Sequence, residues 1–159
     1  YLGDKTKGGF YKKTKDADGK TEILELDLET LKYKPQTKSK FASLDAVKGI
    51  EDQAKRINSL VWGDDKVADF LWKTMSRTFR YSANRIPEIA DTIVEIDNAI
   101  KWGFGWTIGV FESWDAVGVR KSVERMKAEG QPVPENAEKM LASGAETFYK
   151  NDNGVHISI

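Results

Sequence analysis

From residue 43 onward apolar side chains recur at the three-and-four spacing of one helical face, whereas at both ends of the chain they fall in short runs divided by turn residues. Ser43, a residue type that caps helices well, precedes Val47, Ile50, Ala54, Ile57 and Val61, and Gly63 stops the run. Asp64 is placed to cap a second helix carrying Val67, Phe70, Leu71, Met75 and Phe79 on its apolar side, in a stretch that closes by Pro87. Thr92 and Glu95 stand three apart ahead of Ile96, Ala99 and Ile100, a capping-box spacing that predicts a short helix ending at Gly103. Further helices are predicted over 110–129, with a break at Gly118, and over 134–143, where Pro134 suits the first turn. At the start, β-like runs at 9–14 and 21–27 flank Asp16-Ala17-Asp18-Gly19, which predicts a hairpin, and 35–40 reads as a polar linker. At the close, 147–150 and 155–159 flank Asn151-Asp152-Asn153-Gly154, a second hairpin. The pattern predicts a mainly α domain over 41–159 with small β-hairpins at both ends of the chain.

Composition narrows the function classes. The 159 residues include 40% hydrophobic and 31% charged, enough apolar material for one core and too little length for two ordinary domains. Lys plus Arg and Asp plus Glu are 25 each, so no global field draws in nucleic acid or an anionic membrane. The first forty residues carry ten lysines against seven acidic residues, a tilt too shallow to imply a charged partner. There is no cysteine, which removes disulfides, thiolate metal sites and thiol nucleophiles and points to a reducing, cytoplasmic setting. No apolar run reaches the roughly 20 residues of a membrane span, so no such span is expected. The chain begins at Tyr1 in a turn-rich segment, which suggests a piece of a longer polypeptide.

Chemistry-bearing patterns are sparse. His156, the single histidine, lies in the last predicted strand without a Ser or Cys partner nearby, and reads as a surface residue. Asp16-Ala17-Asp18-Gly19 lacks the later ligands and closing Glu of a calcium loop and reads as a turn; no His-based metal spacing exists, so no metal is expected. The segment 103–109, Gly-Phe-Gly-Trp-Thr-Ile-Gly, has glycines at its first, third and seventh places and follows a helix, whereas a dinucleotide loop follows a strand with glycines at one, three and six. Its glycines therefore allow close backbone approach while Phe104, Trp106, Phe111 and Trp114 pack, either in a core or at an interface; spacing does not choose. Asn84-Arg85 reads as a helix end followed by a solvated charge. Gly9-Phe10-Tyr11-Lys12 and Thr147-Phe148-Tyr149-Lys150 echo one another, each opening a hairpin, as two successive modules would.

Residues 93–119 resemble the signature of the C-terminal helical domain of 3-hydroxyacyl-CoA dehydrogenases. Ile96-Asp97, Gly103-Phe104-Gly105, Gly109, Phe111-Glu112, Asp115 and Gly118 follow that pattern in order, with Trp106 and Trp114 between them and Thr107 and Val110 where the family usually has proline. Lys5-Thr6-Lys7-Gly8-Gly9-Phe10-Tyr11 is similar to the string that closes such a domain. The resemblance implies a helical domain of the 6-phosphogluconate dehydrogenase C-terminal type, with 1–40 the end of one copy and 41–159 a second, as in multidomain fatty-acid β-oxidation proteins.

It also implies a parent that oxidises 3-hydroxyacyl-CoA with NAD held on an upstream Rossmann domain. Partners would be that NAD-binding domain, the first helical copy, and an enoyl-CoA hydratase domain or a second chain. The family's helical domain supplies an Asn-Arg pair about seven helical turns before the Ile-Asp step; here that position holds Trp72-Lys73, and Asn84-Arg85 is out of register. The expectation is a copy with no catalytic, cofactor-binding or metal residues of its own. The rival expectation, from another class, is a free-standing helical interaction module with no tie to an enzyme.

Overall fold

Asp16 accepts the amides of Asp18 at 3.0 Å and Lys20 at 2.8 Å, and this side-chain turn folds β1 (Tyr11–Lys15) back on β2 (Thr21–Leu26). The computed structural model describes residues 3–37, 39–152 and 155–158, and the chain divides into two compact units, Tyr1–Lys40 and Phe41–Ile159. In the first unit β1 and β2 pair antiparallel with Lys13 opposite Ile23. A second aspartate turn follows, in which Asp27 accepts the amides of Glu29 and Thr30 and pairs with Lys34 at 2.8 Å. It returns the chain as β3 (Tyr33–Pro35), antiparallel to β2. The expected hairpin is thus a three-stranded meander, and the linker expected at 35–40 begins one residue inside its last strand.

The second unit is helical. α1 (Ala42–Ala46) and α2 (Gln53–Val61) replace the single helix expected after Ser43. Ser43 caps nothing: it sits within α1, and its amide and hydroxyl both donate to Asp65, at 3.0 and 2.8 Å. Asp52 caps α2 by accepting the Lys55 amide at 2.8 Å. Asp65, rather than Asp64, caps α3 (Lys66–Ala83) by accepting the amides of Val67 and Ala68. The Thr92–Glu95 capping box forms and starts α4, which spans Ile93–Phe104 and so runs through Gly103. α5 (Val110–Val117) and α6 (Val119–Ala128) are divided at Gly118, whose φ of 97° suits a residue without Cβ. α7 spans Glu135–Ala142 with Pro134 at its N-cap. β4 (Tyr149–Asp152) and β5 (Val155–Ser158) then pair antiparallel. Turn residues 153 and 154 lie outside the described residues, as does the side chain of His156.

The core of this unit is aromatic and centred on α5. Trp114 stacks on Phe79 of α3 with ring centroids 5.0 Å apart and planes 4° apart, and Phe148 meets Phe111 edge-on at 5.0 Å. Val61, Trp72, Val117 and Met126 close it from α2, α3, α5 and α6, all buried. Phe70, counted on the apolar face of α3, is instead 65% exposed, because its neighbours Leu71 and Trp72 turn toward the core. Among the described residues no helix is long and apolar enough to cross a membrane, and no cluster of His, Cys, Asp and Glu is spaced to hold a metal ion.

Candidate functional site

α5 starts at Gly109, which has no side chain with which to cap it. The missing group comes from α4. Asp97, fully buried, accepts the Phe111 amide at 2.8 Å through Oδ1, and the Glu112 amide at 3.0 Å and the Tyr149 hydroxyl at 2.9 Å through Oδ2. One carboxylate thus satisfies two of the orphan amides of α5 and faces the positive end of its dipole. The approach depends on glycine, since a Cβ on Gly109 would overlap Cβ and Cγ of Asp97. Glu112 completes the cap by accepting the Gly109 amide at 2.6 Å, and its other oxygen pairs with Lys101 at 2.9 Å. Ser113 donates to the Gly109 carbonyl at 2.6 Å.

One turn further along α5, Asp115 accepts the amides of Phe148 at 2.7 Å and Tyr149 at 2.9 Å. The two aspartates therefore clamp the same dipeptide: Asp115 holds its backbone, Asp97 its tyrosine hydroxyl, and the Phe148 ring is seated against Phe111 and Trp114. Gly118 then lets α6 start without a linker.

Burial, more than any neighbouring charge, pushes the Asp115 carboxyl up to about 6, against the pull of the two amides it accepts; Asp97 and Glu112 add to the rise. Burial likewise raises Asp97, and it raises Tyr149 with help from the Asp97 charge, which keeps the tyrosine a donor. A carboxyl raised in the native state binds its proton more tightly there than in the unfolded chain. The stability it contributes is therefore full below its unfolded pKa of 3.8 and is lost as pH climbs through about 6. Between pH 7 and pH 5 the protein should gain about 1 kcal/mol relative to Asp115→Asn. Urea melts of both at the two pH values measure this, and equal slopes would contradict it.

The rest of the segment faces outward. Gly103 lies on an exposed turn of α4 with nothing near its Cβ direction, Phe104 is 75% exposed and Trp106 52%. Gly105 ends α4 in the left-handed region at φ 68°, and no atom lies near its Cβ direction, so conformation alone requires glycine there and the close approach belongs to Gly109. Gly105→Val should accordingly cost only about 1 to 2 kcal/mol, read as a lowered thermal midpoint. Trp106 also borders an apolar groove of about 480 Å³ lined by Ile57, Leu71, Met75, Ile108 and Val110. The aromatics thus divide: Phe111 and Trp114 lie in the core, and Phe104 and Trp106 are exposed.

Asn84 ends α3, and Arg85 pairs with Glu88 at 2.6 Å over Tyr81, away from the clamp residues. Trp72, which stands where the resemblance leads one to expect Asn, is buried and donates through Nε1 to Glu129 at 2.8 Å. Sequence reasoning missed Lys101, Ser113 and Tyr149 as parts of the arrangement; for Tyr149 the repeated Phe-Tyr-Lys was a usable signal. Every carboxylate of the signature is engaged with the protein's own donors, which suits it to hold α4, α5 and the hairpin together rather than to move a proton.

Over 154 residues the chain is 44% identical to the protein described as "Probable 3-hydroxyacyl-CoA dehydrogenase" of Bacillus subtilis; the match covers 97% of this chain and 19% of that protein. It is 24% identical over 111 residues, 70% of this chain and 14% of the other, to the protein described as "Putative fatty acid oxidation complex trifunctional enzyme" of Rickettsia felis. The chain thus spans about a fifth or less of the length of the curated relatives it matches. No family model and no solved structure matches it.

Proposed function

We infer that this chain, homologous along nearly its whole length to part of a probable 3-hydroxyacyl-CoA dehydrogenase, is a non-catalytic helical module of an NAD-dependent 3-hydroxyacyl-CoA dehydrogenase of fatty-acid β-oxidation. The observation that carries the reading is the double-aspartate clamp. It gives six residues of the resemblance, Asp97, Gly109, Phe111, Glu112, Asp115 and Gly118, a task in holding one fold. That fold we take to be of the 6-phosphogluconate dehydrogenase C-terminal type, with 41–159 as the second copy and 1–40 as the end of the first.

In the parent, oxidation to 3-oxoacyl-CoA would take place elsewhere, with NAD on a separate Rossmann domain. This module would pack against that domain and the first copy, with an enoyl-CoA hydratase domain or a second chain as further neighbours. The exposed Phe104 and Trp106 suit such packing. A cysteine-free chain suits a reducing cytoplasm. Calorimetry on the 159-residue chain is expected to give no saturable heat with NAD; saturable binding would overturn the non-catalytic reading. A reading frame without a strand-glycine-helix dinucleotide unit would favour a free-standing interaction module, for which the same exposed aromatics speak.

A further inference from the structure

Phe-Tyr-Lys occurs twice in this chain, and both times it opens an antiparallel hairpin. Phe148 immediately precedes β4, and Tyr149 is that strand's first residue; Phe10 immediately precedes β1, and Tyr11 is that strand's first residue. The C-terminal pair is seated: Phe148 is buried against Phe111 and Trp114, its amide and that of Tyr149 are held by Asp115, and the Tyr149 hydroxyl reaches Asp97. The N-terminal pair has no such seat. Phe10 is 70% exposed and Tyr11 58%, and Leu28 and Leu31 are exposed as well.

Within the unit Tyr1–Lys40, Gly9 alone is buried among the described residues, so the meander has no core of its own. A three-stranded sheet with apolar side chains in water needs another surface to cover it. The seat in 41–159 is not on offer, because both oxygens of Asp115 and the aromatic stack are already taken by Phe148 and Tyr149.

We propose that Phe10 and Tyr11 are a plug for a second helical socket of the same construction, an aromatic stack beside helix-borne carboxylates, carried by the part of the same polypeptide that lies outside these 159 residues. The occupied socket on the page supplies the chemistry: the phenylalanine ring is the apolar anchor, and the tyrosine hydroxyl donates to a buried acid. The length of the Bacillus subtilis relative, of which the chain spans 19%, leaves ample room for another helical body. The proposal rests on the reading that this chain is one module of a longer protein.

Hydrogen exchange on the full-length polypeptide tests it, with no substrate or nucleotide present. The amides of residues 10–12 should exchange at least about tenfold slower in the full-length protein than in the 159-residue chain. Phe10→Ser should erase that difference, and Tyr11→Phe, which keeps the ring and removes the hydroxyl, should reduce it. Since both side chains are exposed in the isolated chain, neither substitution should lower its melting temperature. Equal exchange in the two proteins, or protection that survives Phe10→Ser, would overturn the proposal. So would a dimer of the 159-residue chain that Phe10→Ser dissolves in sedimentation, because the occupant would then be a second copy. An inactive full-length protein with the protection intact would count against the dehydrogenase reading and leave the plug standing.

Discussion

Gly109→Ala is expected to destabilise the helical unit by on the order of 4 kcal/mol, a large share of the roughly 5 to 15 kcal/mol that holds an ordinary domain together. The added methyl overlaps both Cβ and Cγ of Asp97, and Asp97 cannot swing aside without releasing the Phe111 and Glu112 amides and the Tyr149 hydroxyl. Each buried donor left without an acceptor costs about 1 to 3 kcal/mol, so moving α4 away and losing the bonds is as costly as the overlap. Chemical denaturation of Gly109→Ala, Asp97→Ala and the double variant checks the mechanism. Asp97→Ala should cost less in the Gly109→Ala background than alone, since the same bonds are already broken. Strict additivity, or a Gly109→Ala protein as stable as the parent, would contradict it.

Trp72→Ala should cost about 3 to 5 kcal/mol by leaving a cavity on the inner face of α3. Trp72 is fully buried, lies 5.6 Å from the Trp62 ring, and has the Arg125 guanidinium 4.5 Å from its ring centroid. Truncation would also remove the indole N–H from Glu129, which still accepts from Arg125 and Gln131. Trp72→Phe separates the two effects: it keeps most of the volume, loses that one donor, and should cost about 1 to 2 kcal/mol. Equal midpoints for Trp72→Ala and the parent would mean that the residue is not part of the core.

What could be seen in the sequence was what depends on near neighbours. Thr92 and Glu95 find each other within one turn, and Gly118 breaks a helix through its own φ, so both were legible from spacing. Ser43 was misread because the group it serves, Asp65, lies 22 residues away, and no local pattern distinguishes a serine that caps from one that ties two helices. Phe70 fitted the helical spacing, yet the packing of Leu71 and Trp72 against the core sets the inward direction of α3 and leaves Phe70 outside. β3 escaped because three residues ending in proline carry too little alternation to read as a strand. In the clamp, the order of Asp97, Gly109, Glu112 and Asp115 was visible as a resemblance, but its reason was not. The glycine answers a carboxylate on another helix, and that carboxylate answers a tyrosine 52 residues further on.

The Asp115–Phe148 bond joins residues 33 apart, and that separation has a meaning during synthesis. At roughly 5 to 20 residues per second, a ribosome takes about 2 to 7 seconds to travel from one to the other. Through that interval Phe79, Phe111 and Trp114 are already made while the ring that covers them is not. The nascent chain therefore carries an open aromatic socket for seconds, long after its helices can form in microseconds.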